Sequence, residues 1–244
     1  MNEIIKLENI NKDYGETHAL KEINISIQRG EFLVVIGTSG CGKTTFLKCI
    51  NGLITTTSGT VYIENEDIKK KDLIELRRGM GYCIQSVGLF PHMTVAKNIA
   101  YVPNLIKNQT KKEIKDRVDE LLDVVGLDPE MSKRYPRELS GGQQQRVGIA
   151  RSLAAKPKIM LMDEPFGAVD EITRRSLQDQ ITEIHNKMNV TTVFVTHDIE
   201  EALKVGSKIM VMDAGNIIQI ASPDELKKNP KNEYVKELVN QYRV

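Results

Sequence analysis

The chain has no tryptophan, and only 5 phenylalanines and 7 tyrosines among its 244 residues. Nucleic-acid binders carry a basic stripe, often with aromatic platforms for the bases. Here 34 Lys and Arg stand against 33 Asp and Glu, a net charge of +1. The one lysine run, Lys69-Lys70-Lys71, is offset by Asp67 and Asp72 and reads as a solvated loop. Nucleic acid is therefore not an expected partner. Long apolar runs are also missing. A membrane span needs about twenty apolar residues, and Phe32-Leu33-Val34-Val35-Ile36 is as long as they get. Met1-Asn2-Glu3-Ile4-Ile5-Lys6 lacks the apolar core of a signal peptide. A role at a membrane would have to pass through a partner. The 3 cysteines, Cys41, Cys49 and Cys83, are odd in number and lack metal-ligand spacing. That suits a reducing compartment.

What is present is phosphate chemistry. Gly37-Thr38-Ser39-Gly40-Cys41-Gly42-Lys43-Thr44 fits G-x-x-x-x-G-K-[ST] without a mismatch. It follows the apolar run at Phe32–Ile36, which reads as a buried parallel strand. A helix is expected from Lys43 to about Ile50, stopped by Asn51-Gly52. In such a loop the glycines let backbone N–H groups close on phosphates. Lys43 would lie along the β- and γ-phosphates, Thr44 would place its hydroxyl on Mg²⁺, and Thr45 would touch the α-phosphate. Cys41 fills a small-residue position, with a redox switch as the alternative. Ile159-Met160-Leu161-Met162 is a second apolar strand, ending in Asp163-Glu164. Neighbouring strand residues point to opposite faces, so the two acids should do different jobs.

A second phosphate site lies at Leu139-Ser140-Gly141-Gly142-Gln143-Gln144-Gln145-Arg146. Ser140 and Gln143 have capping-box spacing, so a helix should start at Ser140. Gly141 and Gly142 leave its first turn bare, and the free N–H groups make an anion site. Two phosphate sites and one expected nucleotide suggest a composite site shared by two chains.

These motifs together resemble the ABC-type ATPases, over roughly residues 3 to 240. The resemblance implies ATP and Mg²⁺ as cofactors. It makes Asp163 the residue that holds Mg²⁺ through water and Glu164 the general base for the attacking water. Gln85, after Gly81-Tyr82-Cys83-Ile84, matches the glutamine that touches Mg²⁺ and senses the γ-phosphate. His197, after the β-branched run Thr191–Thr196, would reach the γ-phosphate from a strand's C-terminal end. Asp170 matches the family's D-loop, although Gly167 and Val169 depart from its usual S-A-L-D. Tyr14 sits where the family stacks an aromatic on adenine, its alternative being packing on the N-terminal strands. Ser140, Gly141, Gly142 and Gln143 would complete the site of a second, head-to-tail copy.

The implied fold is α/β: a P-loop NTPase of ABC type, with a mixed sheet around a parallel core, an antiparallel β-subdomain and an inserted helical subdomain. The alternating Ile23, Ile25, Ile27 and the stretch Thr60–Ile63 read as half-exposed antiparallel strands. Thr110 and Glu113 form a capping box, with Ile114, Val118, Leu121, Leu122 and Val125 at helical spacing before Gly126. Ser222-Pro223-Asp224-Glu225 reads as another box. One nucleotide-binding domain is expected over 1–244, with its core at 1–85 and 156–222, a helical subdomain at 86–155 and a helical tail at 223–244, without CBS domains.

Met80–Val95 and Arg134–Glu138 narrow the resemblance to ATPase subunits of quaternary-amine importers, which carry betaine, carnitine, choline or other compatible solutes. A soluble ABC ATPase of the iron–sulfur assembly type, or an importer of another solute such as ergothioneine, is the alternative. The resemblance implies transmembrane permease subunits as partners, indirectly a substrate-binding protein, and a peripheral place on the cytoplasmic face of the membrane. The patch Leu89-Phe90-Pro91 would receive the membrane subunit.

Overall fold

The computed structural model describes residues 3–84, 88–106, 109–167 and 169–240. Gln85, one of the expected site residues, lies outside them. The chain forms two compact units, Met1–Leu76 with Asn189–Val244, and Arg77–Met188.

The first unit holds an antiparallel sheet in the order Thr17–Gln28, Glu3–Tyr14, Ser58–Ile63, Glu66–Asp67. Register explains the alternation in the sequence. Ile5 pairs with Ile27 on one side and Ile63 on the other, and Leu7 pairs with Ile25 and Val61. All six are buried. Side chains at every second position share a face, so these rows form one apolar surface.

The same unit holds four strands of a second, mixed kind. Phe32–Ile36 runs parallel to both Thr191–Val195 and Lys208–Asp213, and Asn216–Ala221 is antiparallel to Lys208–Asp213. Every residue of Phe32–Ile36 and Thr191–Val195 is buried. A parallel strand covered on both faces cannot alternate, which is why these segments read as unbroken apolar or β-branched runs. Helix Lys43–Ile50 buries Phe46, Leu47, Cys49 and Ile50, and ends at Asn51. Near the C-terminus, helices Pro223–Lys228 and Glu233–Asn240 follow. The expected box at Ser222 is only half made. Ser222 Oγ accepts from Glu225 N at 3.3 Å, but Glu225 Oε1 turns away to accept from Asn229 Nδ2 at 2.7 Å.

The second unit pairs Met80–Cys83 in parallel with Ile159–Asp163. Its main helices are Lys111–Val124, Gly141–Leu153 and Glu171–Met188. The first has its full capping box at Thr110 and Glu113, and buries Ile114, Val118, Leu121 and Leu122. Each such side chain contributes about 1.5–3 kcal/mol when fully buried. The second helix lies hard against the strand Met80–Cys83: a Cβ on Gly81 would come within 2.5 Å of Ser152 O. Asn98, fully buried, ties the Phe90–Thr94 loop. Its amide accepts from Phe90 N at 2.8 Å and donates to Phe90 O, Met93 O and Thr94 O at 3.2, 3.1 and 3.1 Å.

Candidate nucleotide site

In the first unit the phosphate loop leaves the strand Phe32–Ile36 and enters helix Lys43–Ile50, the context the motif requires. Gly42 is the N-cap residue at φ 109°. A Cβ there would meet Ala19 O at 2.4 Å. Both the backbone angle and the contact demand glycine. Gly42→Ala is therefore expected to cost at least about 1–3 kcal/mol from backbone strain alone, read as a lower urea midpoint.

Lys43 is buried, and its ammonium donates to Gly37 O at 2.7 Å and Thr38 O at 2.9 Å. The lysine thus bridges its own loop. Thr38, Ser39, Gly40 and Thr44 are exposed, while Gly42 and Thr45 are half-buried. Cys41 is buried, and desolvation raises its thiol pKa despite the nearby Lys43. A raised, buried thiol is the opposite of a reactive one. The reading of Cys41 as a small packed residue fits this geometry better than a redox switch.

Two features brought to this loop were not legible in the sequence. Tyr234, on helix Glu233–Asn240, reaches Met212 O at 3.5 Å, and burial raises its phenol's pKa while the nearby Thr38 lowers it. The other is Thr196. Its N–H donates to Val35 O at 3.1 Å, which holds the end of Thr191–Val195 beside the start of the loop. His197 follows and is exposed. The register Val35↔Val195 puts both segments at the C-terminal ends of adjacent parallel strands, where open α/β sheets bind ligands. Tyr14 ends its strand half-exposed, at 49%, with Lys12 Nζ 4.8 Å from the ring centroid. The ring is thus half open to solvent with a cation beside it.

In the second unit Asp163 closes the strand Ile159–Asp163 and is buried. Its carboxylate, after burial, is among the causes that push the Tyr82 phenol up to about 12. Glu164 is half-buried and has φ 45°, a left-handed backbone in a residue with a full side chain. The turn that follows is closed by Gly167 N donating to Glu164 O at 3.2 Å. Such outliers gather at functional sites. The two acids thus differ in environment because Glu164 leaves the strand after Asp163, and not through the alternation of strand faces expected from the sequence.

The second phosphate motif takes the expected form. Ser140 is the N-cap of Gly141–Leu153, with Ser140 Oγ accepting from Gln143 N at 3.3 Å and Gln143 Oε1 accepting from Ser140 N at 3.0 Å. Ser140, Gly141, Gly142 and Gln143 line an open pocket of about 520 Å³ shared with Asp170. Asp170 accepts from Thr173 N at 3.0 Å, and that bond holds its carboxyl below the usual range. The departures at Gly167 and Val169 are absorbed. Gly167 is exposed, and Val169 is buried with its N–H on Phe166 O at 3.2 Å. Arg146, last residue of the motif, also lines the pocket and donates to Val125 O and Gly126 O at 3.2 and 3.1 Å.

Phosphate loops occur in many NTPases. A capped, glycine-opened helix start that shares a pocket with an aspartate turn is far more restrictive, and with the mixed and antiparallel sheets it defines the class of ATP-binding cassettes. Residues 20–167 match the family model described as ABC transporter, and the chain belongs to that family. It is 50% identical over 242 residues to the glycine betaine/carnitine/choline transport ATP-binding protein OpuCA of Bacillus subtilis, covering 99% of this chain and 63% of that one. It is 47% identical over 234 residues to the glycine betaine uptake system ATP-binding protein YehX of Escherichia coli, covering 96% and 76%. The chain thus spans less than two thirds of the length of OpuCA. Among solved structures, dimeric MJ0796, a bacterial ABC transporter cassette, aligns at TM-score 0.82 and 35% identity over 90% of this chain and 99% of that one. CbiO1 from Clostridium perfringens, part of the transporter complex cbiONQ, aligns at 0.85 and 29% over 100% and 96%.

Proposed function

We propose that the chain is the ATP-hydrolysing subunit of a bacterial importer for betaine-like quaternary amines or related compatible solutes. The observation that carries the ATPase reading is the reciprocal Ser140–Gln143 cap over bare Gly141 and Gly142, in one pocket with Asp170. The relatives carry the solute class, since OpuCA and YehX are named for glycine betaine. Two copies meet head to tail, and the dimeric state of the MJ0796 cassette supports such a pairing. Lys43 and the loop Gly37–Gly42 bind the phosphates. Thr45 touches the α-phosphate, Tyr14 stacks on adenine, and Ser140–Gln143 of the other copy close on the γ-phosphate. Glu164 takes the proton of the attacking water. His197 and Gln85 hold the γ-phosphate and orient that water, and Asp170 fixes the turn beside the signature helix.

The residues that the family resemblance assigns to a metal, Thr44, Asp163 and Gln85, would offer oxygen donors only. That set suits Mg²⁺, which keeps several waters and phosphate oxygens rather than a full protein cage. Bound there, Mg²⁺ would neutralise charge on the β- and γ-phosphates.

Among the described residues no helix is long and apolar enough to cross a membrane. In this reading the chain works through permease subunits on the cytoplasmic face, with a substrate-binding protein acting beyond them. The surface near Leu89-Phe90-Pro91 supports that docking. Phe90 packs 4.6 Å from Tyr101, and Tyr101 and Leu105 stay 37% and 46% exposed. The direct test of the loop is Lys43→Ala, read by calorimetry. Removal of the ammonium that neutralises phosphate is expected to weaken ATP binding by about 100-fold or more. Unchanged affinity would count against the assignment.

A further inference from the structure

The first turn of helix Ile199–Val205, which follows the strand Thr191–Val195, holds a buried carboxylate. Glu201 is 4% exposed, and Thr196 is 2% exposed. Thr196 Oγ1 donates to Glu201 Oε2 at 2.6 Å, and the same hydroxyl accepts from Asp198 N at 3.0 Å. Asp198 Oδ1 accepts from Glu200 N at 2.8 Å and Glu201 N at 3.3 Å. In a plain capping box the residue three places after the cap returns to the cap's own N–H. Here Asp198 is the cap and Glu201 stands at that position, yet a threonine hydroxyl is inserted between them. The pair is tied down from both sides. Thr196 N is bound to Val35 O, and Ile199, Ala202 and Val205 are buried. Between Thr196 and Asp198 lies His197, exposed.

A helix cap alone does not need this arrangement, because Asp198 already serves the helix N–H groups. Burying a carboxylate is costly unless it is hydrogen-bonded. The inserted hydroxyl links that carboxylate to the backbone N–H of Asp198, and Thr196 N is held by Val35 O, so the backbone from which the His197 side chain leaves is anchored on both sides. We propose that Thr196 and Glu201 are positioning residues that hold His197 toward the γ-phosphate. The proposal rests on the assignment of His197 to the γ-phosphate.

The test is a double-mutant cycle on ATP hydrolysis with nucleotide-binding stoichiometry measured alongside, so that rates refer to competent sites. Thr196→Val keeps shape and removes the hydroxyl. It is expected to lower kcat about tenfold, the scale of a small misplacement of a reacting group, with the KM for ATP within about twofold. Thr196→Ser keeps the hydroxyl and should restore the rate. In a His197→Ala background, Thr196→Val should cost nothing more, because the residue it positions is gone. Should the valine variant not fold, Glu201→Gln carries the same cycle, with a smaller expected fall of about threefold. A full additive loss in the His197→Ala background, or an unchanged kcat in Thr196→Val, overturns the positioning role while leaving His197 in place. If His197→Ala alone hydrolyses ATP at the wild-type rate, the assignment of His197 falls, and the positioning role with it.

Discussion

Glu164→Gln is expected to bind ATP normally and hydrolyse it about 10² to 10⁴ times more slowly, the range for loss of a general base. The substitution keeps size and hydrogen bonding but removes the basic oxygen. It leaves Lys43 and the loop glycines unaltered in the sequence, so ground-state binding should survive. With ATP and Mg²⁺ the variant should accumulate as a dimer by gel filtration, because in the proposed cycle hydrolysis opens the pair. The local structure supports this reading of the two acids. Asp163 is buried at the end of its strand, whereas Glu164 turns out of it at φ 45°. Wild-type turnover in Glu164→Gln would remove Glu164 from the base role, and a neighbour would have to take the proton.

Ser140→Arg should leave ATP binding by single chains nearly intact and abolish both ATP-driven dimers and cooperative hydrolysis. Ser140 is exposed, and it lines the pocket that would receive a phosphate carried by the other copy. An arginine fills that space. It also removes a cap worth about 1 kcal/mol, so Ser140→Asp is the matching variant. Aspartate keeps the cap and sets a negative charge against the phosphate, and it should give the same loss. Mixing Ser140→Arg chains with Lys43→Ala chains leaves one intact composite site per heterodimer. Partial recovery of hydrolysis is expected, since one occupied site closes the pair less firmly than two. If Ser140→Arg chains hydrolyse ATP normally at low protein concentration, the signature acts within its own chain and the shared site is wrong.

Much of this was legible because the signals were local. The phosphate loop, its strand and its helix are set by contiguous residues, and the structure places the helix at Lys43–Ile50 as expected. The caps at Thr110 and Ser140 depend on residues three apart, and both form. The cap at Ser222 has the same spacing, yet Glu225 is drawn to Asn229. Spacing alone does not settle a competition between two nearby partners. Contacts made by folding were out of reach. Nothing in the sequence brings Tyr234 to Thr38, 196 positions earlier in the numbering. The D-x-x-E spacing of Asp198 and Glu201 was a signal that could have drawn attention to Glu201, but it would have suggested a plain box and missed the threonine between.

The three buried thiols have a practical use. Desolvation raises Cys41, pushes Cys49 up to about 11 and Cys83 to about 12. Alkylating reagents attack the thiolate, so the folded chain is close to silent toward them without any native cysteine being replaced. A single cysteine introduced at Ile172, 84% exposed and two residues from Asp170, would then take a spin label or fluorophore selectively. Paired labels on two copies would turn the proposed opening and closing of the pair into a measured distance, followed through each round of nucleotide turnover.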